Sequence, residues 1–490
     1  VGKSGVTLSV EQMCIGSNST VDAAMRCINA NLKGIAFVID SEARLVGCVT
    51  DGDIRRFLIG VEADISSPIS RVMNEHPSVL LTSSDADETY AALSKGLTAG
   101  KTVFPRLDKA GRIRSFSYRE DWGLVPLAEP SLTGNESAYV LECLKSNWIS
   151  STGPFVDRFE SAFAEYTGLL HPVAVSNGTT AITLALQALG LPPGGEVIVP
   201  DCTFAATANA VVAAGGVPVL ADVDPLTWGL SPNTVRGLIG PKTWGLIPVH
   251  LYGNPCDAIG LRSLCDEHGM FIVEDCAESI GTTVAGKHVG TLADAATFSF
   301  FGNKTLTTGE GGMTFFREGP FEKRARVLRD HGMSKSRKYW HEIVGYNYRM
   351  TSLQAAIGLA QTERAKDLVR RKFENAAIYI EGLDGIDGVA PMPISPFGTC
   401  SYWLVPILIE ARGANQREDI MSSLAAQGVQ TRIAFPPLHR MPAFSDCAGA
   451  SEFPNSSTIA DQGLCLPNNP GMSADDINIV LEALDRALQR

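Results

Sequence analysis

The sequence predicts an α/β protein built on a mainly parallel sheet, and three observations carry that reading. Strand-like apolar runs alternate with helix-like segments between about residues 140 and 385, the pattern of a parallel sheet flanked by helices. The run Phe271-Ile272-Val273-Glu274-Asp275 reads as a buried strand ending in an acid, at the edge where such a sheet presents its ligand site. Lys304 follows a second run, Ala295-Ala296-Thr297-Phe298-Ser299-Phe300, and leaves through a turn rich in Gly and Thr. At 490 residues the chain is expected to hold two or three domains.

Along the chain, residues 1 to 121 contain an internal repeat. Asp40, Arg44, Leu45 and Asp53 recur 68 positions later as Asp108, Arg112, Ile113 and Asp121. The first copy, GIAFVIDSEARLVGCVTDGDIRRFL, predicts two short strands around an acidic turn, then a helix opened by Thr50-Asp51-Gly52-Asp53. A junction follows at Trp122 to Pro130, where Gly123, Pro126 and Pro130 interrupt the periodicity. Val173-Ala174-Val175 then leads through Ser176-Asn177-Gly178-Thr179-Thr180 into a helix ending near Leu189. Val197 to Pro200 leads into Ala205 to Ala214, and Val217 to Ala221 is the next strand. After about residue 390, Tyr402 to Ile409 and Asp419 to Gln427 predict a smaller α+β subdomain reaching residue 490.

Composition narrows the function classes. With 45% hydrophobic and 19% charged residues the chain reads as soluble and globular, and no apolar run reaches membrane-spanning length. A net charge of -12 argues against a nucleic-acid partner but leaves room for a local basic pocket. Eleven cysteines without a CxxC pair fit a reduced, cytoplasmic chain, and Val1-Gly2-Lys3-Ser4-Gly5 has no apolar signal core.

The chemistry rests on a few side chains. A lysine after a buried strand is placed to hold a carbonyl compound as a Schiff base, the way an enzyme holds pyridoxal phosphate, and an acid such as Asp275 can keep a pyridine nitrogen protonated. The turn at Gly178 and Thr179 opens a helix, whose N-terminal amides and dipole favour a phosphate. Each feature has an ordinary counterpart: a solvated lysine, a capping Thr, an Asp53 that only caps its helix. The basic stretch Arg326, Arg329, His331, Lys335, Arg337 and Lys338 is placed either to meet a nucleotide diphosphate or to form a solvated helix face.

The segments FSFFGNKTLTTGEGGM, VEDCAESIGT, SNGTTAITLALQALGL and GYNYRMTSLQAAIGLAQ resemble, in order, the DegT/DnrJ/EryC1/StrS family of sugar aminotransferases. The resemblance spans residues 125 to 490 and is strongest to the perosamine-forming members. It implies a fold-type I enzyme that uses pyridoxal phosphate and transfers an amino group from L-glutamate to a nucleotide-linked 4-keto-6-deoxyhexose. GDP-4-keto-6-deoxy-D-mannose is the acceptor expected, for surface polysaccharide, with a UDP- or dTDP-linked ketosugar or an inactive, nucleotide-sensing body as alternatives. By the same resemblance Lys304 bears the cofactor and shuttles the proton. Gly178, Thr179 and Ser299 hold the phosphate, and Asn347 reaches it from the partner of a homodimer. Asp275 pairs with the ring nitrogen, Phe204 stacks on the ring, and Glu278 stands where many members have Gln. Trp148, His250 and Arg432 fall in segments lining the sugar-nucleotide pocket. One branch of the family dehydrates its sugar with histidine in place of the lysine, so Lys304 favours amino transfer. The first copy of the N-terminal repeat resembles a CBS domain, and the second would complete a tandem CBS module. Thr50 and Asp53 would then contact the ribose of an adenine nucleotide, while Tyr118 for Thr50 and Ser115 for Gly47 imply a degenerate second site.

Overall fold

The computed structural model describes residues 9–59, 64–82, 103–118, 125–334, 336–410, 416–447, 449 and 451–489. They divide into two compact units, Val1–Val125 with Ser422–Gln430, and Pro126–Met421 with Thr431–Arg490.

In the smaller unit the sequence repeat is a structural repeat. Strands Ile35–Ile39 and Leu45–Thr50 pair antiparallel, and so do Val103–Leu107 and Ile113–Tyr118, with boundaries displaced by the same 68 residues. An aspartate ties each connecting turn. One carboxylate oxygen of Asp40 accepts from the amides of Glu42 and Arg44 at 2.8 and 2.9 Å, and Asp108 accepts from those of Ala110 and Arg112 at 2.9 and 3.0 Å. Each hairpin gains a parallel neighbour, Cys14–Gly16 in the first and Leu80–Leu81 in the second. Arg44 bridges Arg112, its own counterpart, which is the signature of an approximate twofold axis between the copies. Phe37 stacks on Phe116 across that axis at 5.2 Å, within a core that includes Met13, Val103 and Ile113. Asp121 and the side chain of Tyr118 lie outside the described residues.

The larger unit is organised by a seven-stranded sheet in the order Pro172–Val175, Gly312–Phe316, Ala295–Ser299, Phe271–Asp275, Thr243–Leu246, Glu196–Pro200, Val217–Ala221. All strands run parallel except Gly312–Phe316, which is antiparallel to both neighbours. Continuous apolar runs form these strands because helices cover both faces. On one face Phe163, from the helix Pro154–Thr167, meets Phe298 and Phe300 edge-on at 5.2 and 5.1 Å. On the other the helix Gly178–Leu189 buries Ile182, Leu184 and Leu186. Gly245 lets two strands approach, since a Cβ there would clash with the Phe271 carbonyl oxygen. The C-terminal part adds a four-stranded antiparallel sheet, Val389–Pro391, Val405–Ile409, Gly463–Leu466 and Arg432–Ile433, with helices Pro454–Gln462 and Ala474–Leu488. No helix of the described residues is long and apolar enough to cross a membrane.

The basic stretch departs from the sequence reading. Arg326 and Arg329 are neither solvated nor offered to a ligand, because both bond the buried Glu160, at 2.8 and 3.1 Å. They also donate to the carbonyls of Pro172 and Ala174, while Glu160 accepts from the Ala174 amide at 2.7 Å. The triad thereby fastens an edge strand to two helices. Arg337 and Lys338 lie over the rings of Trp340 and Tyr339, and Lys335 falls outside the described residues. Glu160→Ala would leave two guanidinium groups without their shared counter-charge. It should lower the unfolding free energy by about 3–5 kcal/mol, measurable by denaturant titration.

Candidate active site

A cavity of about 580 Å³ opens where the parallel strands end, as expected for a sheet of this type. Its walls include residues at or just past the ends of four strands: Ser176 to Thr180, Thr203 and Phe204, Asp275 with Ala277 and Glu278, and Ser299 with Phe301, Asn303 and Lys304. Alternation along Ala295–Ser299 explains how one strand serves core and cavity together. The rings of Phe298 and Phe300 pack against Phe163, whereas the side chains of Thr297 and Ser299 stand on the cavity side, where Phe298 also adds to the lining.

Asn177 caps the helix Gly178–Leu189 by accepting from the Thr180 amide at 2.9 Å, and Thr180 returns the bond to the Asn177 amide at 3.2 Å. This box leaves the first amides, those of Gly178 and Thr179, without intrahelical acceptors at the positive end of the helix. A Cβ on Gly178 would sit 2.8 Å from the Ser299 Cβ, so only glycine keeps a recess between the helix end and the Ser299 hydroxyl.

Asp275 is buried at 5% exposure. One carboxylate oxygen accepts from the Thr207 hydroxyl at 2.9 Å and the other from the Ala277 amide at 3.1 Å. Burial pushes its carboxyl above the ordinary aspartate range, against the opposing effect of those two donors and of Lys304.

Lys304 directs Nζ to Glu278 Oε1 at 3.1 Å and lies 3.8 Å from the centre of the Trp403 ring. Glu278 is oriented through Oε2 by the Tyr252 amide at 2.9 Å, and the Trp403 indole N–H donates to the carbonyl of Asn303 at 2.7 Å. Burial holds the Lys304 amine below the usual lysine value, with the Glu278 carboxylate opposing. Phe204, 61% exposed at the rim, tilts towards Phe435 at 5.8 Å. Arg432 also lines the cavity.

Three residues proposed from the sequence lie outside this cavity. His250 is completely buried: Nε2 meets Glu274 at 2.9 Å and Nδ1 accepts from the Cys256 amide at 3.1 Å, so the ring has no face for a sugar nucleotide. It is corrected to a core residue. Trp148 is 48% exposed at the surface, and Asn347 is exposed, its side chain accepting from Arg349 at 3.0 Å. Sequence reading in turn missed Trp403, Thr207 and Phe435. The one local signal was an indole beside the apolar run that opens Val405–Ile409.

A ligand carrying a phosphate, a ring nitrogen and a reactive carbonyl carbon matches this donor set: the recess at Gly178, the buried acid and the desolvated amine. Solved structures described as aminotransferases share the fold. TlmJ from Streptoalloteichus hindustanus matches with a TM-score of 0.70 and 32% identity, over 75% of this chain and 99% of its own. DesI, solved in the presence of its TDP-sugar product, matches with a TM-score of 0.69 and 32% identity, over 75% and 94%. The site and fold are thus those of a pyridoxal phosphate-dependent aminotransferase. More particularly, the chain belongs to the DegT/DnrJ/EryC1/StrS aminotransferase family, whose model matches residues 130–485. It is 42% identical over 364 residues to the GDP-perosamine synthase of Vibrio cholerae, covering 74% of this chain and 98% of that protein.

Proposed function

We propose that this enzyme transfers the amino group of L-glutamate to C4 of GDP-4-keto-6-deoxy-D-mannose, forming GDP-perosamine for surface polysaccharide. The reading is carried by the buried amine of Lys304, 3.1 Å from Glu278, in a chain 42% identical to a GDP-perosamine synthase. Pyridoxal phosphate, when bound, supplies the electron sink for the charge left as a proton departs beside the amine. In this reading Lys304 bears the cofactor and moves that proton, and burial, which holds its amine below the usual lysine value, favours the neutral form that acts as a base. Glu278 fixes the position of the amine. Gly178, Thr179 and Ser299 hold the phosphate, Asp275 faces the ring nitrogen, and Phe204 covers the ring from the rim. Asn347, exposed on its own chain, would reach the phosphate of a second copy, which makes a homodimer the working unit.

Catalytic efficiency compared across GDP-, UDP- and dTDP-linked 4-keto-6-deoxyhexoses, at matched glutamate, tests the acceptor. The GDP sugar should be preferred by at least about 10²-fold, since a site built to bond one base edge rejects analogues lacking it. The similarity to DesI, whose product is a TDP-sugar, supports dTDP-linked sugars as the second reading, and a preference for them would replace the first.

We also infer that residues 1–121 are a tandem CBS pair that binds an adenine nucleotide at Thr50 and Asp53, supported by the twofold repeat of the hairpins. The Thr50 hydroxyl and an Asp53 oxygen lie 2.6 Å apart within a capping box of the helix Asp51–Leu58, and Arg56 bonds Asp53 at 2.6 Å. A nucleotide must therefore draw on groups that already bond one another. Calorimetry should detect binding in the intact enzyme and its loss in Asp53→Ala. An absence of binding for every adenine nucleotide would leave Asp53 as a helix cap alone.

A further inference from the structure

Tyr252 is completely buried behind the cavity wall, yet both groups that flank the Lys304 amine are bonded to its backbone. Its N–H donates to Oε2 of Glu278 at 2.9 Å, and its carbonyl accepts from the Trp403 amide, also at 2.9 Å. Glu278 turns its other oxygen to Lys304 Nζ at 3.1 Å, and the centre of the Trp403 ring lies 3.8 Å from the same nitrogen. One residue thus fixes the carboxylate and the indole between which the amine sits.

This arrangement requires a backbone conformation that a tyrosine rarely adopts. Tyr252 is left-handed, with φ 55° and ψ 15°, a region in which a Cβ crowds the following carbonyl. Such a residue persists only where its surroundings over-determine it. Here the side chain supplies the constraint. The ring runs nearly parallel to those of Trp403 and Phe435, at interplanar angles of 11° and 4° with centroids 6.3 and 5.6 Å away. The hydroxyl accepts from the Phe435 amide at 3.1 Å. Released from these contacts, the residue would return to a common region of backbone space, and its N–H would turn away from Glu278.

We propose that Tyr252 is a positioning residue for the reactive amine: its left-handed backbone, locked by its own stacked ring, holds Glu278 and Trp403 against Lys304. The inference rests on the reading of Lys304 as the amine that bears the cofactor, and it adds what keeps that amine in place.

Two substitutions separate the backbone from the bulk of the side chain. Tyr252→Ala and Tyr252→Gly leave nearly the same void, but glycine occupies the left-handed region freely and alanine does not. Carbamoylation of Lys304 by cyanate, which only the neutral amine undergoes, is followed against pH by peptide mass in the full chain freed of cofactor. Cofactor absorbance is followed against pH in the holoenzyme. A carboxylate held beside an amine favours its charged form, so the carbamoylation midpoint in Tyr252→Ala should fall about 1 pH unit below that in Tyr252→Gly. The absorbance midpoints should differ in the same direction. With Glu278→Gln added, no carboxylate remains to be aimed, and the two variants should coincide. Tyr252→Phe, which keeps the stack, should match wild type. Packing alone predicts equal midpoints for the Ala and Gly variants, or a difference that persists without the carboxylate; either result overturns the proposal. Should the void unfold both, Tyr252→Asn and Tyr252→Leu repeat the comparison with side chains of similar shape, since Asn tolerates the left-handed region and Leu does not. Equal midpoints in that pair overturn it equally. Borohydride reduction of the wild-type holoenzyme checks the underlying reading separately: the cofactor should be fixed to Lys304, and its attachment to another lysine would remove that reading and this inference with it.

Discussion

Lys304→Ala should abolish amino transfer, lowering kcat by at least about 10⁴-fold, while the fold survives. The size of the effect follows from the isolation of this amine. Among the described residues lining the cavity it is the only lysine, and its Nζ is fixed between the Glu278 carboxylate at 3.1 Å and the Trp403 ring at 3.8 Å. No other amine in the described lining can take its place in bearing the cofactor. Removing the side chain also leaves Glu278 without its cation, but Tyr252 still bonds the second oxygen, so the loss stays local. Turnover of the sugar nucleotide, measured beside circular dichroism and a melting curve, checks the prediction. Retained turnover in a folded variant would show that another group moves the proton.

Asp275→Asn should reduce kcat by about 10²- to 10³-fold. The substitution keeps the shape and an oxygen able to accept a hydrogen bond, yet removes the one charge set against a cationic ring nitrogen. It also predicts a stability effect of opposite sense in cofactor-free protein. Folding raises the pKa of this carboxyl because burial removes its water. The folded state therefore retains a proton that the unfolded state releases. Stability falls as pH rises from the ordinary aspartate range through the raised value. Asp275→Asn should flatten that part of the curve and melt higher than wild type at neutral pH. Melting temperatures of both proteins without cofactor, across that window, decide it. A variant that melts lower at every pH would mean the carboxylate is structurally favourable as it stands.

Much of this site was legible because its parts are local. A strand, a turn and a helix start are specified by neighbours in sequence, so Ser176 to Thr180, Phe271 to Asp275 and the approach to Lys304 could be read without a fold. The twofold repeat of the smaller unit was equally visible, since Asp40 and Asp108 each close a turn with amides two and four residues ahead. Residues judged one by one from their type were less secure. Arg326 and Arg329 read as charges for a nucleotide diphosphate or for solvent, and only folding brings Glu160 to them across more than 160 positions. His250 read as a pocket residue, yet it bonds Glu274, which the pleat of Phe271–Asp275 turns away from the cavity that Asp275, the next residue along, faces.

By itself the sequence determined the alternation of strands and helices, the family, the acid that ends one strand and the lysine that follows its neighbour. The tertiary structure alone decided what stands around them. Trp403 lies 99 positions beyond Lys304 and Arg432 a further 29, in a different sheet, and no periodicity in either segment points to the amine. Local patterns encode which face of a strand or helix is apolar. The partners across a cavity are set by how those faces pack, and that is a property of the closed chain rather than of any stretch of it.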